Sequence, residues 1–337
     1  MEERKSAKLQ TMIGFVLSQE QFPTPRLVEL GAAAEKAGFD AAWASDHFQP
    51  WQDNQGHAGF AWLTLGALGG RTSRITMGTG VTCPTYRYRP AEVAQGFATL
   101  GQLYPGRVFL GVGTGEALNE QAATGEWGKY QERGDRLVEA LEIIRGLWAG
   151  GIVNHQGRYY RVESAKLYDT PPQPIPIYIA AAGKNSMRLA GRYGDGLITD
   201  PKSLTKPELR APFEEGCRAA GRDPATMPIL TEHWAVVGGR AEAEKGAELW
   251  RFMPKSFQKY VNNPDPREIQ RQAEQEVPLD KVFQGWVVSE DPQAHIEGIQ
   301  KLLDDGARQV FVHSPQEDQE RFIEFYGREV LPKVRGR

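Results

Sequence analysis

The chain has 337 residues, 40% of them apolar and 25% charged, with a formal net charge of −3. That composition supports a large core and excludes a disordered chain, and without a basic surplus nucleic acid is not an expected partner. Two cysteines, Cys83 and Cys217, exclude a disulfide framework. No apolar stretch reaches the roughly 18 residues of a membrane span, and the N-terminal MEERKSAKLQ is polar with no hydrophobic signal core. A cytoplasmic protein is expected.

From the N-terminus onward, short apolar runs bounded by Gly, Pro or Asp predict strands at Met12–Ser18, Ala41–Asp46, Ile75–Thr82, Val108–Gly113, Ile175–Ala181, Gly196–Thr199, Ile229–Val237 and Arg308–His313. Amphipathic stretches between them predict helices near 25–37, 58–71, 90–103, 132–149, 184–193, 206–220, 241–251 and 292–304, with a last helix over about 318–333. Near-continuous apolar strands belong to a parallel sheet covered on both faces. Alternating strand and helix eight times over predicts one closed (β/α)8 TIM barrel across residues 1–337, with an open doubly wound sheet as the alternative. Two segments interrupt the alternation. Residues 151–174, with GRYYRV and a proline cluster, read as a small hairpin. Residues 252–284, polar and proline-broken, read as an insertion over the barrel mouth.

A barrel keeps its working residues at the C-terminal ends of its strands. In chain order these ends offer Glu20 and Gln21; Asp46, His47 and Trp51; Gly78 to Cys83; Gly113, Thr114, Gly115 and Glu116; Ala180, Ala181, Ala182 and Gly183; Thr199, Asp200 and Lys202; and His233 and His313 from the last two strands. Gly-Val-Gly-Thr-Gly superficially matches a dinucleotide fingerprint, but no early helix follows and no acidic residue ends the next strand. Those glycines better suit a flat ring approaching the backbone. The six histidines never pair at metal-ligand spacing and the first strand has none, so no catalytic metal is expected. No G-x-S-x-G elbow is present.

The segments SDHFQPW (45–51), PTYRYRPAEVAQGFATLGQLYPGRVFLGVGTGEALNE (84–120) and YIAAAGKNSMRLAGRYGDGLIT (178–199) resemble the luciferase-like superfamily, and more closely the coenzyme F420-dependent glucose-6-phosphate dehydrogenases. The resemblance implies a deazaflavin in the barrel mouth, its ring on a bulge with a non-proline cis peptide at Gly80–Val81. The implied cofactor contacts are Asp46, Gly80, Val81, Cys83, Thr114, Gly115 and Asn119, with Ala181, Ala182 and Gly183 at the tail. It implies oxidation of the C1 hydroxyl of a sugar 6-phosphate to the lactone, with hydride transfer to C5 of F420. His47 or Glu20 would be the base, Glu116 the donor to N1, and Trp51 the holder of the substrate oxygen. Lys202, Lys259 and Thr199 would line the phosphate end, where Gly285 replaces an expected arginine and Asp200 an expected threonine. Gly80 and Cys83 likewise replace an expected serine and threonine. A homodimer is a further implication. The alternatives are an F420 enzyme for another alcohol or carbonyl compound, and an FMN-dependent luciferase-like monooxygenase.

Overall fold

Eleven strands run through residues 11–335, the part of the chain that the computed structural model describes; the polar N-terminal residues 1–10 lie outside it. They are β1 (Met12–Leu17), β2 (Ala41–Ala44), β3 (Thr76–Thr79), β4 (Val108–Val112), β5 (Val153–Gln156), β6 (Arg161–Ala165), β7 (Ile177–Ala180), β8 (Gly196–Thr199), β9 (Ile229–Val237), β10 (Val287–Ser289) and β11 (Gln309–His313). The order β1-β2-β3-β4-β7-β8-β9-β11 is parallel at every step, and β11 pairs back onto β1, so the sheet closes. The expected (β/α)8 barrel is therefore present. β5 and β6 form an antiparallel hairpin within residues 151–174. β10 extends the pairing of β9 at Ala235–Val237, beyond the stretch that β11 covers. At three residues it is too short to show as a periodic run.

Strand residues alternate between two buried environments. Ile13, Phe15 and Leu17 face the helical layer, packing with Leu27, Leu30 and Leu65. Val16, Trp43, Phe109, Tyr178, Leu230 and Phe311 fill the barrel interior. There Trp43 stacks on Phe311, with ring centroids 3.9 Å apart and planes 4° apart. The strand opposite must give way, and a Cβ on Gly14 would lie 2.4 Å from a ring carbon of Phe311.

Several predicted elements differ in detail. The third strand ends at Thr79 rather than Thr82, because the chain turns at the cis bond Gly80–Val81 and only Thr82 bridges again, to Val112. The last helix is α-helical over Gln319–Phe325, widens to a π turn at Tyr326–Val330 and resumes at Leu331–Arg335. Residues 252–284 are not merely a polar cover. Phe252, Tyr260, Ile269, Ala273, Val277 and Val282 form a second core with Trp51 and Leu118. Helix Pro266–Glu276 shows why, since its few apolar residues share one stripe while its charges face water.

The stacked Trp43 ring prevents Phe311 from retreating. Gly14→Ala is therefore expected to destabilise the fold by about 1–3 kcal/mol through overpacking, measured as a lower urea midpoint with unchanged slope.

Candidate active site

The first strand end brings Glu20 beneath His47. Glu20 is buried, 2% exposed, and His47 is half-buried. Glu20 Oε2 accepts the Ser45 hydroxyl at 2.5 Å and the Ser18 hydroxyl at 3.4 Å. Its Oε1 lies 3.3 Å from His47 Nε2. Trp51 is clamped by Phe252, stacked at 4.7 Å, and lies 6.2 Å from the His47 ring. Among the described residues no hydrogen bond engages its indole N–H.

Asp46 has a different task. Its Oδ1 takes the Arg87 guanidinium and the Tyr88 hydroxyl, both at 2.9 Å. Its Oδ2 takes the Thr82 hydroxyl at 2.6 Å and the Trp62 indole N–H at 3.1 Å. Burial and this carboxylate push the Tyr88 phenol well up, so it stays a donor. The carboxylate thus ties the end of β2 to the segment after the cis bond. Along that segment Gly80 packs on Trp43, whose ring would lie 2.8 Å from an added Cβ, leaving no room for the expected serine. The Cys83 thiol is 4% exposed, and burial, then the Glu116 charge, pushes it well up, so it is no nucleophile.

The loop after β4 carries Thr114, Gly115 and Glu116. Gly115 has φ 84°, and an added Cβ would sit 2.7 Å from Glu120 Cγ, so glycine is required twice over. Asn119 is 2% exposed and its amide is fully used. Oδ1 accepts the N–H groups of Phe48 and Gln49 at 2.8 and 3.4 Å; Nδ2 donates to Glu116 Oε2 at 3.2 Å and faces His47 Nδ1 at 3.3 Å. Glu120, which sequence reasoning missed, is fully buried. One oxygen accepts the N–H groups of Tyr86 and Arg87 at 3.1 and 2.8 Å and the Thr85 hydroxyl at 3.3 Å; the other has no partner. Burial pushes its carboxyl up to about 7, against its backbone donors. A carboxylate four residues after Glu116 was the available signal.

Ala181 is buried, while Ala182 and Gly183 are exposed at the start of helix Lys184–Tyr193. A cavity of about 340 Å³ connects Thr114 and Ala180 with Asn185, Ser186 and Arg188 of that helix. A larger hollow of about 470 Å³, between Gln49, Asp53, Pro264 and Arg267, includes none of the acid–base residues. The buried Thr199 hydroxyl donates to the Ala181 carbonyl at 2.7 Å, which commits its hydrogen but not its lone pairs. Asp200 caps the short helix Pro201–Leu204, accepting from the Ser203 N–H and hydroxyl, so its charge is turned toward its own helix; Lys202 is exposed beside it. Lys259 is ion-paired with Glu276, which Lys255 also contacts at 3.1 Å. At Gly285 an added Cβ would meet nothing within 4 Å.

An unforeseen feature is an aromatic wall. Trp51 stacks on Phe252, Phe252 meets Trp250 at 5.8 Å, and Trp250 meets His313 at 4.8 Å. His313 stacks on Trp234 at 3.8 Å, and Trp234 on Trp286 at 5.3 Å. His313 Nδ1 pairs with Glu232 Oε1 at 2.8 Å. His233, by contrast, packs against helix Pro292–Asp304, and burial then His295 lowers it to about 4, a neutral core residue. Among the described residues no group of three or more His, Cys, Asp or Glu side chains is placed to hold a metal ion, and no helix is long and apolar enough to cross a membrane.

A closed parallel barrel with Glu20, His47 and Glu116 at its mouth accords with the sequence match over residues 8–309: the chain belongs to the luciferase-like monooxygenase family. It is 53% identical over 323 residues to an F420-dependent hydroxymycolic acid dehydrogenase of Mycobacterium tuberculosis, covering 96% of this chain and 88% of that one. It is 44% identical over 331 residues to an F420-dependent glucose-6-phosphate dehydrogenase of Microbacterium testaceum, covering 96% and 97%. A solved F420-dependent secondary alcohol dehydrogenase, in complex with an F420-acetone adduct, superposes with TM-score 0.90 at 35% identity, over 96% of this chain and 99% of that one.

The buried Glu120 carboxyl makes stability pH-dependent. A carboxyl raised in the folded state holds its proton more tightly when folded. Its contribution is therefore complete below 4.5, its ordinary value, and is lost as pH rises through about 7. Glu120→Gln keeps the acceptor for Tyr86 and Arg87 and cannot ionise. It should gain about 3 kcal/mol on wild type across that window, read by urea unfolding at a series of pH values. A difference constant with pH would mean the carboxyl stays ionised throughout.

Proposed function

We propose that the chain is an F420-dependent dehydrogenase that oxidises a carbinol carbon, with the C1 hydroxyl of a sugar 6-phosphate as the first substrate reading, working as a cytoplasmic homodimer. The observation that carries this reading is the Asn119 amide, which stands between Glu116 on one side and the His47–Glu20 pair on the other. Removing a hydride from an alcohol requires a group to take the hydroxyl proton and a separate group to give one to the reduced acceptor. Two such poles, held about one amide apart, suit that demand. They do not suit oxygen activation on FMN, which needs no such pair.

The mouth fits a deazaflavin. Gly113 lies against Val81, where an added Cβ would come within 2.8 Å of the Val81 side chain, so the floor between them is backbone and small groups. Val81, Thr114, Gly115 and the buried Cys83 would border the ring. Asp46 contributes by holding their segment, and Asn119 by presenting Glu116. Ala181, Ala182, Gly183 and the cavity beside them would take the tail, where the start of a helix favours an anion. Bound there, F420 supplies a carbon that accepts the hydride. Glu116 holds the proton destined for the ring nitrogen, and the Trp51 indole N–H is available to the substrate oxygen.

A second substrate reading, an alcohol without phosphate, is favoured by two observations. Lys259 is already engaged by Glu276, a carboxylate it shares with Lys255, and the aromatic wall runs from Trp51 to Trp286, beside the glycine that replaces the arginine. The relative acting on hydroxymycolic acid agrees with it.

Oxidised F420 is expected to bind, with its fluorescence quenched. Equal or tighter binding of FMN without binding of F420 would overturn the reading. Glu116→Gln should retain F420 affinity and lose turnover by about 10²–10⁴-fold. The substrate readings separate on two variants. For a sugar 6-phosphate, Lys259→Ala should raise KM by about 10- to 100-fold, and Gly285→Arg, whose side chain has open space, should lower it by about tenfold. If the natural substrate has no phosphate, neither variant changes its KM.

A further inference from the structure

His47 has one neighbour at Nε2 and two at Nδ1, and the two at Nδ1 make opposite demands. The Gln49 carbonyl, 3.2 Å away, asks for a proton on Nδ1; the Asn119 Nδ2 group, 3.3 Å away, asks for a lone pair. Which demand prevails decides where the neutral ring carries its hydrogen.

The orientation of Asn119 is fixed independently of His47. Its oxygen accepts two backbone N–H groups and its nitrogen lies 3.2 Å from Glu116 Oε2, so turning the amide over would face donors with donors. Nδ2 therefore points hydrogen at Nδ1. On the other side, Ser45 Oγ accepts the Gln19 N–H at 3.1 Å and so turns its own hydrogen to Glu20 Oε2, which also accepts from Ser18. Glu20 is thus an acceptor, and the charge of Oε1, an ion-pair contact 3.3 Å from Nε2 rather than an aligned hydrogen bond, favours hydrogen on Nε2. With hydrogen on Nδ1 instead, a bare Nε2 would face a bare carboxylate oxygen, and Nδ1–H would face the amide hydrogen of Asn119.

We propose that Asn119 is a positioning residue that locks His47 as the Nε2–H tautomer, so that Glu20, not His47, takes the proton of the substrate hydroxyl. In that arrangement Nε2 has no lone pair to offer. The hydroxyl proton passes to the Glu20 carboxylate as the C–H bond breaks and its electron pair leaves with hydrogen for the oxidised deazaflavin. Glu116 supplies the second proton to the reduced ring, so two protons and two electrons are accounted for. The Trp51 indole N–H remains as the donor to the oxygen that becomes the carbonyl. The tautomer belongs to the unliganded chain; only the identity of the base rests on the dehydrogenase reading.

The test is long-range ¹H–¹⁵N correlation on cofactor-free protein with ¹⁵N-labelled histidine near pH 8, His47 being assigned by the signals lost in His47→Gln. The expected pattern is a protonated Nε2 and a bare Nδ1. In Asn119→Asp, which keeps an acceptor for Phe48 and Gln49 but has no donor, the hydrogen should move to Nδ1. A wild-type ring protonated at Nδ1, singly or doubly, overturns the proposal, whether or not Asn119→Asp folds. So does a folded Asn119→Asp that retains the wild-type pattern. In turnover with F420, Glu20→Gln should lose about 10²–10⁴-fold in kcat and His47→Gln, which retains an N–H donor, clearly less; the reverse order overturns the assignment of the base. Absence of any F420 turnover in wild type would defeat the dehydrogenase reading and leave the tautomer standing on its own spectrum.

Discussion

A carboxylate sealed from water must be surrounded by donors, and Asp46 is surrounded by four. They come from three parts of the mouth: Trp62 from the second barrel helix, Thr82 from just beyond the bulge, Arg87 and Tyr88 from the segment leading into the third helix. Removing one partner of a buried charge of this kind typically costs about 3–5 kcal/mol. The positions of the bulge, of Cys83 and of the β4 loop packed on it all depend on that single point of attachment. Glu120 repeats the device one loop away, gathering the N–H groups of Tyr86 and Arg87 from the other side.

Below these carboxyl groups lies a rigid floor. The aromatic rings inside the barrel fit only because glycine stands opposite them, as Gly14 does for Phe311 and Gly80 for Trp43. Close-packed interiors transmit rather than absorb displacement. The mouth residues, Glu20 and His47 among them, therefore sit on a stiff base. The insertion at 252–284 completes the site from above, because its own small core includes Trp51 and fixes that indole in place.

The two poles of the site are chemically unlike. At one, Glu116 is half-buried and held by a single amide hydrogen; at the other, Glu20 is buried beneath two hydroxyls and an imidazole. Asn119 touches Glu116 and His47, so the orientation of one amide is felt at both poles. The aromatic wall beginning at Trp51 leads away from the chemistry toward Gly285, where this chain lacks a cationic side chain.

The strands and their helical partners were legible in the sequence because burial on both faces leaves continuous apolar runs, and because Gly, Pro and Asp mark where those runs end. The mouth residues were legible for the same reason, since the end of a barrel strand places the next few residues of the chain at the rim. Glu20, His47, Trp51 and Glu116 could be gathered into one group, and motif resemblance attached chemistry to them. The partners of those residues were not legible. Nothing local says that Lys259 meets Glu276, that Thr199 gives its hydroxyl to Ala181, or that His313 joins Trp234 and Trp250 in one wall. These contacts join residues far apart along the chain, and they form only where the closed barrel and its insertion bring loops into register. The sequence by itself determined which groups stand at the mouth; the tertiary structure alone decided which are free and which are satisfied, because a hydrogen bond depends on distance and direction rather than on order along the chain.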